Sequence, residues 1–413
     1  MDPVPPATDH RTGCRLTCRL PDDPRFSRTS RTVRAVICLT LVSAACYPAP
    51  GLAEEPAASD WHYGGSIDLS HAVDFNFPDN RLWRSKTTTP SVNEPALNMA
   101  VGYMRKDATL QSRWGLEFGL QEGNDVEGLV PPSIPARDKP VGHAEQLKHF
   151  SRANVSYLAP IGNGLSLTAG LFNSYIGYQS IYSRYNLNYT RSYMADNAPY
   201  FVFGLGATYR VDEAWQAGFY VINGYNYLSH INNQPSYGTQ LQWKPASRVT
   251  VTQNLYYGPD QSNTAMEFWR FFSDSILEWK DGPWTLALAY DVGTENAAEQ
   301  AGHPRTFWTA GAFYARWNVQ GPWSVALRPE FYWDRHGRIS GSEQLLRAMT
   351  TTLEYKWTHP WQTALLRMEH RYDESTGIGG GFFKRGDVSP GMPGVAREQH
   401  LLLFSIVWAI DRS

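Results

Sequence analysis

The chain has 413 residues, of which 42% are hydrophobic, 14% aromatic and 18% charged, with a formal net charge of −2 at pH 7. Soluble domains average roughly 25% charged residues, so this chain is charge-poor and aromatic-rich, and disorder, which needs the opposite balance, is excluded. No stretch approaches the roughly 18 apolar residues of a spanning helix and no basic excess marks a nucleic-acid partner, leaving soluble all-β proteins and transmembrane barrels.

Residues 1–53 read as a targeting segment and 54–413 as the domain that follows it. Arg31 and Arg34 give a positive n-region, Ala35 to Ala45 an apolar h-region, and Gly51-Leu52-Ala53 the small residues of a cleavage site after Ala53. Cys46 after Ser43-Ala44-Ala45 offers a lipoprotein site instead, but position 43 lacks the usual large apolar residue. All four cysteines (Cys14, Cys18, Cys38, Cys46) fall in this segment, so the remainder must be stable without disulfides. Losing the segment's seven arginines and four aspartates turns the formal charge from −2 to −5.

From Trp61 onward, alternation of period two predicts strands. The segments are 62–76, 96–105, 111–121, 145–158, 165–176, 200–210, 214–224, 237–244, 248–258, 266–280, 283–294, 305–318, 322–334, 345–357, 361–373 and 397–410. Every second connection is short, as at Ile161-Gly162-Asn163, Asp281-Gly282 and Gln320-Gly321, whereas 77–95, 122–144, 177–199 and 374–396 are long. Tight periplasmic turns alternating with long extracellular loops are the pattern of a transmembrane antiparallel β-barrel, here of about 16 strands. Trp61, Trp215, Trp243, Trp279, Trp284, Trp317, Trp323, Trp357, Trp361 and Trp408 all fall at periplasmic strand ends, where an aromatic girdle belongs. Sixteen strands leave an aqueous lumen.

The inward parity carries the candidate pore-lining residues Arg113, Glu117, Arg152, Arg210, Arg270, Asp274, Arg316, Arg328, Glu330, Asp334, Arg367, Glu369, Arg371 and Asp373, with Asp68, Lys148, Glu278, Glu354 and Lys356 on the same face. Their signs are mixed, so strong ion selectivity is not expected. The densest run, Arg367 to Asp373, reads equally as a selecting wall or as cross-strand ion pairs with no part in selection. Segment 177–199 holds Tyr178, Tyr182, Arg184, Tyr185, Tyr189 and Arg191; folded inward it is a constriction loop whose rings and guanidinium groups suit sugars or other polar solutes. An outward loop over the mouth is the alternative, and the rule that long ordered loops carry function favours the lumen.

Tyr175-Ile176-Gly177-Tyr178, Asn186-Leu187-Asn188-Tyr189-Thr190-Arg191-Ser192, Ala198-Pro199 and Gly204-Leu205-Gly206-Ala207-Thr208-Tyr209 together resemble the putative β-barrel porin-2 (OmpL-like) family. Val221-Ile222-Asn223-Gly224-Tyr225-Asn226 is similar to that family's Val-x-Asn-Gly-x-[DN] strand end, and Ala159-Pro160-Ile161-Gly162 to one of its turns. The resemblance spans most of the chain after the targeting segment and is specific between about 150 and 260. It implies an outer-membrane barrel with a pore and says little about solute.

No Gly-x-Ser-x-Gly elbow, Walker loop or His-Glu-x-x-His occurs, and the eleven histidines lack metal-ligand spacing, so no catalytic residue, metal or cofactor is expected. Gly377-Ile378-Gly379-Gly380-Gly381 reads as a flexible extracellular loop. The expected function is a Gram-negative outer-membrane porin for passive diffusion of small hydrophilic solutes. Its partners are outer-membrane lipid and those solutes, with a homo-oligomer compatible with the pattern. Three other readings stay open: a saccharide-selective channel, a non-conducting surface barrel whose loops bind a partner, and a hydrolase built on Asp334 and His336.

Overall fold

The computed structural model describes residues 60–129, 144–225, 228, 234–261, 264, 266–298, 302–389 and 392–412. The targeting segment and its cleavage site lie outside the described residues.

Alternation of apolar and polar side chains builds strands β1 (Trp61–Asp74), β2 (Pro95–Lys106), β3 (Trp114–Glu122), β4 (Phe150–Ala159), β5 (Leu165–Asn173), β6 (Phe201–Arg210), β7 (Trp215–Ile222) and β8 (Ser236–Ala246). The second half adds β9 (Val249–Pro259), β10 (Trp269–Asp281), β11 (Trp284–Asn296), β12 (Arg305–Gln320), β13 (Trp323–Asp334), β14 (Gln344–His359), β15 (Gln362–Thr376) and β18 (Glu398–Arg412). Each pairs antiparallel with its neighbours, and β1 pairs with β18, so sixteen strands close a barrel. Closure leaves no open edge, as hydrocarbon demands of a sheet. A separate hairpin, β16 (Phe382–Ser389) with β17 (Met392–Ala396), stands between β15 and β18.

Segments 145–158 and 266–280 begin differently from the sequence expectation. A helical turn occupies Ala144–Leu147 and a 3-10 turn Met266–Phe268, and strands start at Phe150 and Trp269. Polar alternation in a short loop is indistinguishable from strand alternation until a partner strand is available.

The two faces differ along every strand. In β13 the odd residues Trp323, Val325, Leu327, Phe331 and Trp333 are exposed to the membrane side, and the even residues from Ser324 to Asp334 are buried. Trp215 stacks on its cross-strand partner Trp243 at 5.5 Å, and Trp284 on Trp317 at 5.6 Å. Such offset ring pairs add roughly 0.5–1.5 kcal/mol beyond burial. Trp114, which a strand starting at 111 keeps out of the girdle, is an exposed ring at the periplasmic end of β3. Trp269 and Trp333 sit at extracellular strand ends, whereas Trp308 faces inward and is buried.

The interior has two unlike halves. Behind β11–β15 and β18 the inward side chains are buried beneath loop residues. Along β6–β8 many of them, including Thr208, Gln216, Gln240 and Gln242, remain half-exposed.

Candidate functional site

Loop 3 (residues 174–200) joins β5 to β6 and crosses the lumen. It is held through its backbone. Glu369 of β15 accepts from the N–H groups of Tyr189 (2.7 Å) and Thr190 (3.1 Å), Glu330 of β13 from Tyr193 N–H (2.6 Å), and Asp274 of β10 from Gly177 N–H (2.7 Å). Arginines take the carbonyls: Arg328 binds that of Thr190, Arg367 those of Ser183 (2.8 Å) and Asn186 (3.0 Å), and Arg371 that of Arg191 (3.0 Å). Acids thus meet backbone donors and bases meet backbone acceptors, as a buried irregular segment requires. Charges also pair along the wall, with Arg371 at 2.8 Å from Asp373 and 3.2 Å from Glu330, and Arg367 at 2.6 Å from Glu354.

The loop's own side chains finish the attachment. Tyr178 donates to Glu278 (2.9 Å), Tyr182 to Gln121 (2.7 Å) and Tyr189 to Asp68 (2.6 Å). Arg184 pairs with Asp411 near the periplasmic end of β18, so the loop reaches deep into the barrel, and Tyr185 beside it is exposed. Arg191 is fully buried and pairs with Asp125 at 2.7 Å.

Sequence reasoning missed that this last contact belongs to a three-loop lock. Loop 1 (75–94) sends Lys86 to an ion pair with Asp196 of loop 3, and Thr88 Oγ1 donates to Asp196 at 2.7 Å. Thr89 N–H donates to Asp125 of loop 2 (123–149) at 2.6 Å. Burial lowers Lys86 to about 8 against the pull of Asp196. Burial also opposes ionisation of Asp196, yet Lys86 and Thr88 outweigh it and hold the carboxyl below its ordinary value. Asp125 is pushed up to about 6, burial being the main cause and Arg191 opposing it. The folded chain then binds a proton between about pH 4 and 6 that the unfolded chain does not, so this group favours folding on the acid side and that contribution is lost as pH rises through about 6. Asp125→Asn is expected to flatten this part of the pH–stability curve, read by chemical unfolding at about pH 4.5 and 7.

The sequence-selected charges therefore divide. Arg270, Asp274, Arg328, Glu330, Asp334, Arg367, Glu369, Arg371 and Asp373 are buried under loop residues. Arg270 lies between Asp260 (2.5 Å) and Glu295 (2.8 Å), and Arg316 pairs with Glu354. Asp334 caps the next loop by accepting from Arg338, Ile339 and Ser340 N–H at 2.7–2.9 Å, while His336 Nδ1 accepts from Phe307 N–H at 3.1 Å; the two side chains serve different backbone amides. Arg152 is buried over the Tyr103 ring at 4.3 Å and lies 3.7 Å from Glu117. Arg113 is in the periplasmic turn, bound to Leu158 carbonyl (3.0 Å), and Arg210 is exposed at the periplasmic end of β6.

Between loop 3 and the opposite wall lies a chamber of about 700 Å³. It extends from the periplasmic turn at Arg105–Ala108 up to Tyr175 and Tyr178 at the root of loop 3. Its wall is mainly neutral amide and hydroxyl: Asn154, Ser156, Thr208, Gln216, Gln240, Gln242, Thr250 and Thr252 among others. Glu117, the one acid from the inward-facing candidates that borders it apart from Glu278, accepts from Asn154 at 3.1 Å, and Glu278 is engaged by Tyr178. Tyr175 stacks on Tyr220 at 4.2 Å beside Phe172, which forms an aromatic flank.

The fold resembles solved outer-membrane channels. The channel DcaP of Acinetobacter baumannii matches at TM-score 0.54 and 9% identity, covering 86% of this chain and 99% of that one. Outer-membrane expressed OmpT of Vibrio cholerae matches at 0.52 and 9%, covering 86% and 100%. An anion-selective porin from Comamonas acidovorans matches at 0.51 and 10%, covering 85% and 99%. No curated protein matches the sequence. The family model described as "Putative beta-barrel porin-2, OmpL-like" matches residues 61–410. With a sixteen-stranded closed barrel, a loop across its lumen and a wet chamber beside that loop, the chain belongs to this porin family and is a channel of the outer membrane.

Proposed function

We propose that the barrel passes small, uncharged or weakly charged hydrophilic solutes down their gradients through the chamber beside loop 3. The neutral wall of that chamber carries the reading. Side-chain amides and hydroxyls exchange hydrogen bonds with a passing solute at little net cost, and a wall whose one cation outside an ion pair, Lys106 at the periplasmic turn, is held by Ser112 and the Trp114 carbonyl gives neither ion sign a deep well. A void of about 700 Å³ lies within the range of small-molecule sites, roughly 300–1,000 Å³, and sets the solute size. The pore-lining role passes in this reading from the buried charges to Asn154, Thr208, Gln216, Gln240, Gln242 and Thr252.

A saccharide-selective channel is the second reading, favoured by the stacked Tyr175–Tyr220 pair and the tilted Phe172 ring beside those amides. Proteoliposome swelling tests both. Neutral sugars are expected to enter at rates falling with size, and equally sized anions and cations at similar rates; saturable entry of one sugar class would select the second reading. Exclusion of all neutral solutes would overturn both.

The partners are lipid around the apolar outer face and the solutes within. A homo-oligomer would bury part of that outer face, and native mass in detergent decides it. Residues 1–53 serve in this reading as an export signal removed after Ala53, and no chemistry is performed by the chain.

A further inference from the structure

The outer face of the barrel is mainly apolar, and one stretch departs from that. On β13 the outward residues of the extracellular half are Leu327, Pro329 and Phe331. Followed onto the next strands, their three rows continue as Thr351 and His370, as Met349, Tyr372 and His400, and as Arg347, Glu374 and Glu398. Thr351, His370, His400, Arg347 and Glu398 are exposed, so a polar patch lies on the outside of β14, β15 and β18.

Depth makes the patch costly. Ala364, the cross-strand partner of Trp408, marks the periplasmic girdle on β15. At about 3.4 Å per residue and a tilt of about 40°, His370 stands about 16 Å above it and Tyr372 about 21 Å, inside an apolar band about 25 Å tall. Hydrocarbon offers such groups no hydrogen-bond partner. Another polar group on the outer face satisfies itself: Gln253 of β9 bonds Ser273 (3.0 Å) and Ser275 (2.7 Å) of β10.

The patch does so only in part. Glu374 is held by Arg397 at 2.5 Å and by Arg347 at 3.5 Å, yet those arginine side chains stay 64% and 58% exposed. His400 Nδ1 and His370 Nε2 meet at 3.5 Å, which leaves His400 Nε2 and His370 Nδ1 without a partner among the described residues. Two arginines stand against two glutamates, Glu374 and Glu398, so both signs are present in equal number. A layer of anionic headgroups calls for a positive excess. A face with matched charges, donors and acceptors complements a copy of itself.

We propose that the outer face of β14, β15 and β18 is where two copies of this chain meet in the membrane. Lipid is then excluded from the patch, and its arginines, glutamates and imidazoles face a second polar wall instead of hydrocarbon. The inward side of the same strand β15 carries Arg367 and Arg371, which hold loop 3 by its carbonyls. Contact between copies therefore backs the part of the wall that positions the constriction loop.

The test is sedimentation equilibrium of the full chain in a density-matched neutral detergent, with energy transfer between two separately labelled populations in lipid vesicles as the second readout. A mass of two or more chains is expected, with transfer between the labels. Arg347→Leu is expected to weaken association at least about tenfold, and His370→Leu several-fold. Both place an apolar side chain against lipid, so the separated barrel should keep its heat stability. Thr239→Leu, exposed on the outer face of β8, should leave association unchanged. A single-chain mass without energy transfer overturns the interface, as does unchanged association in both Arg347→Leu and His370→Leu. One anionic lipid per single chain, retained through purification and lost in Arg347→Leu, also overturns it and gives the patch to a lipid headgroup.

Discussion

Arg328→Ala is expected to loosen loop 3 from the wall and enlarge the single-channel step severalfold. Its guanidinium is fully buried, holds the Thr190 carbonyl, and donates to Thr190 Oγ1 (3.3 Å), Arg191 carbonyl (3.3 Å) and Thr350 Oγ1 (3.1 Å). It also pairs with Glu330 at 3.2 Å, which in turn accepts from Tyr193 N–H. Alanine leaves a buried carboxylate short of one partner and takes the guanidinium from the Thr190 carbonyl, while the Arg191 carbonyl keeps Arg371 and Lys86. Breaking a buried pair from one side costs about 3–5 kcal/mol. The sixteen-strand ladder does not depend on that contact, so the loss falls on the loop and not on closure. Larger and noisier conductance steps from a barrel of unchanged heat stability would bear this out. Arg210→Ala, at an exposed periplasmic strand end, is the matched control and should leave the step as it was. Equal steps in the two variants would show that the wall does not position the loop.

Leu288→Arg should be the most damaging single change on the outer face. Leu288 is half exposed, lies between Leu277 and Phe313 on the neighbouring strands, and is one strand turn above the Trp284 girdle. Arginine at mid-membrane depth on a barrel costs about 2–4 kcal/mol. Chemical unfolding from lipid vesicles measures the loss. A lysine at inward Gln240 meets water and should cost little in the same assay, while shifting reversal potential toward anion preference. Equal losses at the two positions would mean that the faces have been assigned the wrong way round.

The strand ladder was readable because a barrel writes its two faces into every strand. Trp323 to Asp334 alternates without a break, and the structure begins and ends β13 within a residue of that pattern. Alternating turn and loop lengths then gave closure and orientation. What alternation cannot say is what covers an inward residue. Arg328 and Glu369 occupy the inward parity as expected, but the atoms they bind belong to residues 138 and 180 positions away in the chain. Their burial was therefore invisible, whereas the neutral inward residues Thr208, Gln216, Gln240 and Gln242 could have been found by the same parity that picked out the arginines.

Lys86 illustrates the limit differently. Loop 1 has no periodicity, so nothing marks one of its lysines as the partner of Asp196. The Gly377–Gly381 run misled for a related reason. Glycine suggests freedom, and the φ values of Gly377, Gly379 and Gly381 are positive, but Arg84 fixes the carbonyls of Gly379, Gly380 and Gly381 at 2.6–3.2 Å. The hairpin of β16 and β17 follows directly from that anchored turn.

Planar-bilayer recording of the purified, refolded barrel is the most direct test of a water column enclosed by this wall. Discrete, ohmic current steps with little preference for K⁺ over Cl⁻ are the predicted result. A barrel that inserts into the bilayer yet carries no current, with loop 3 in place and again after Arg328→Ala, would contradict it.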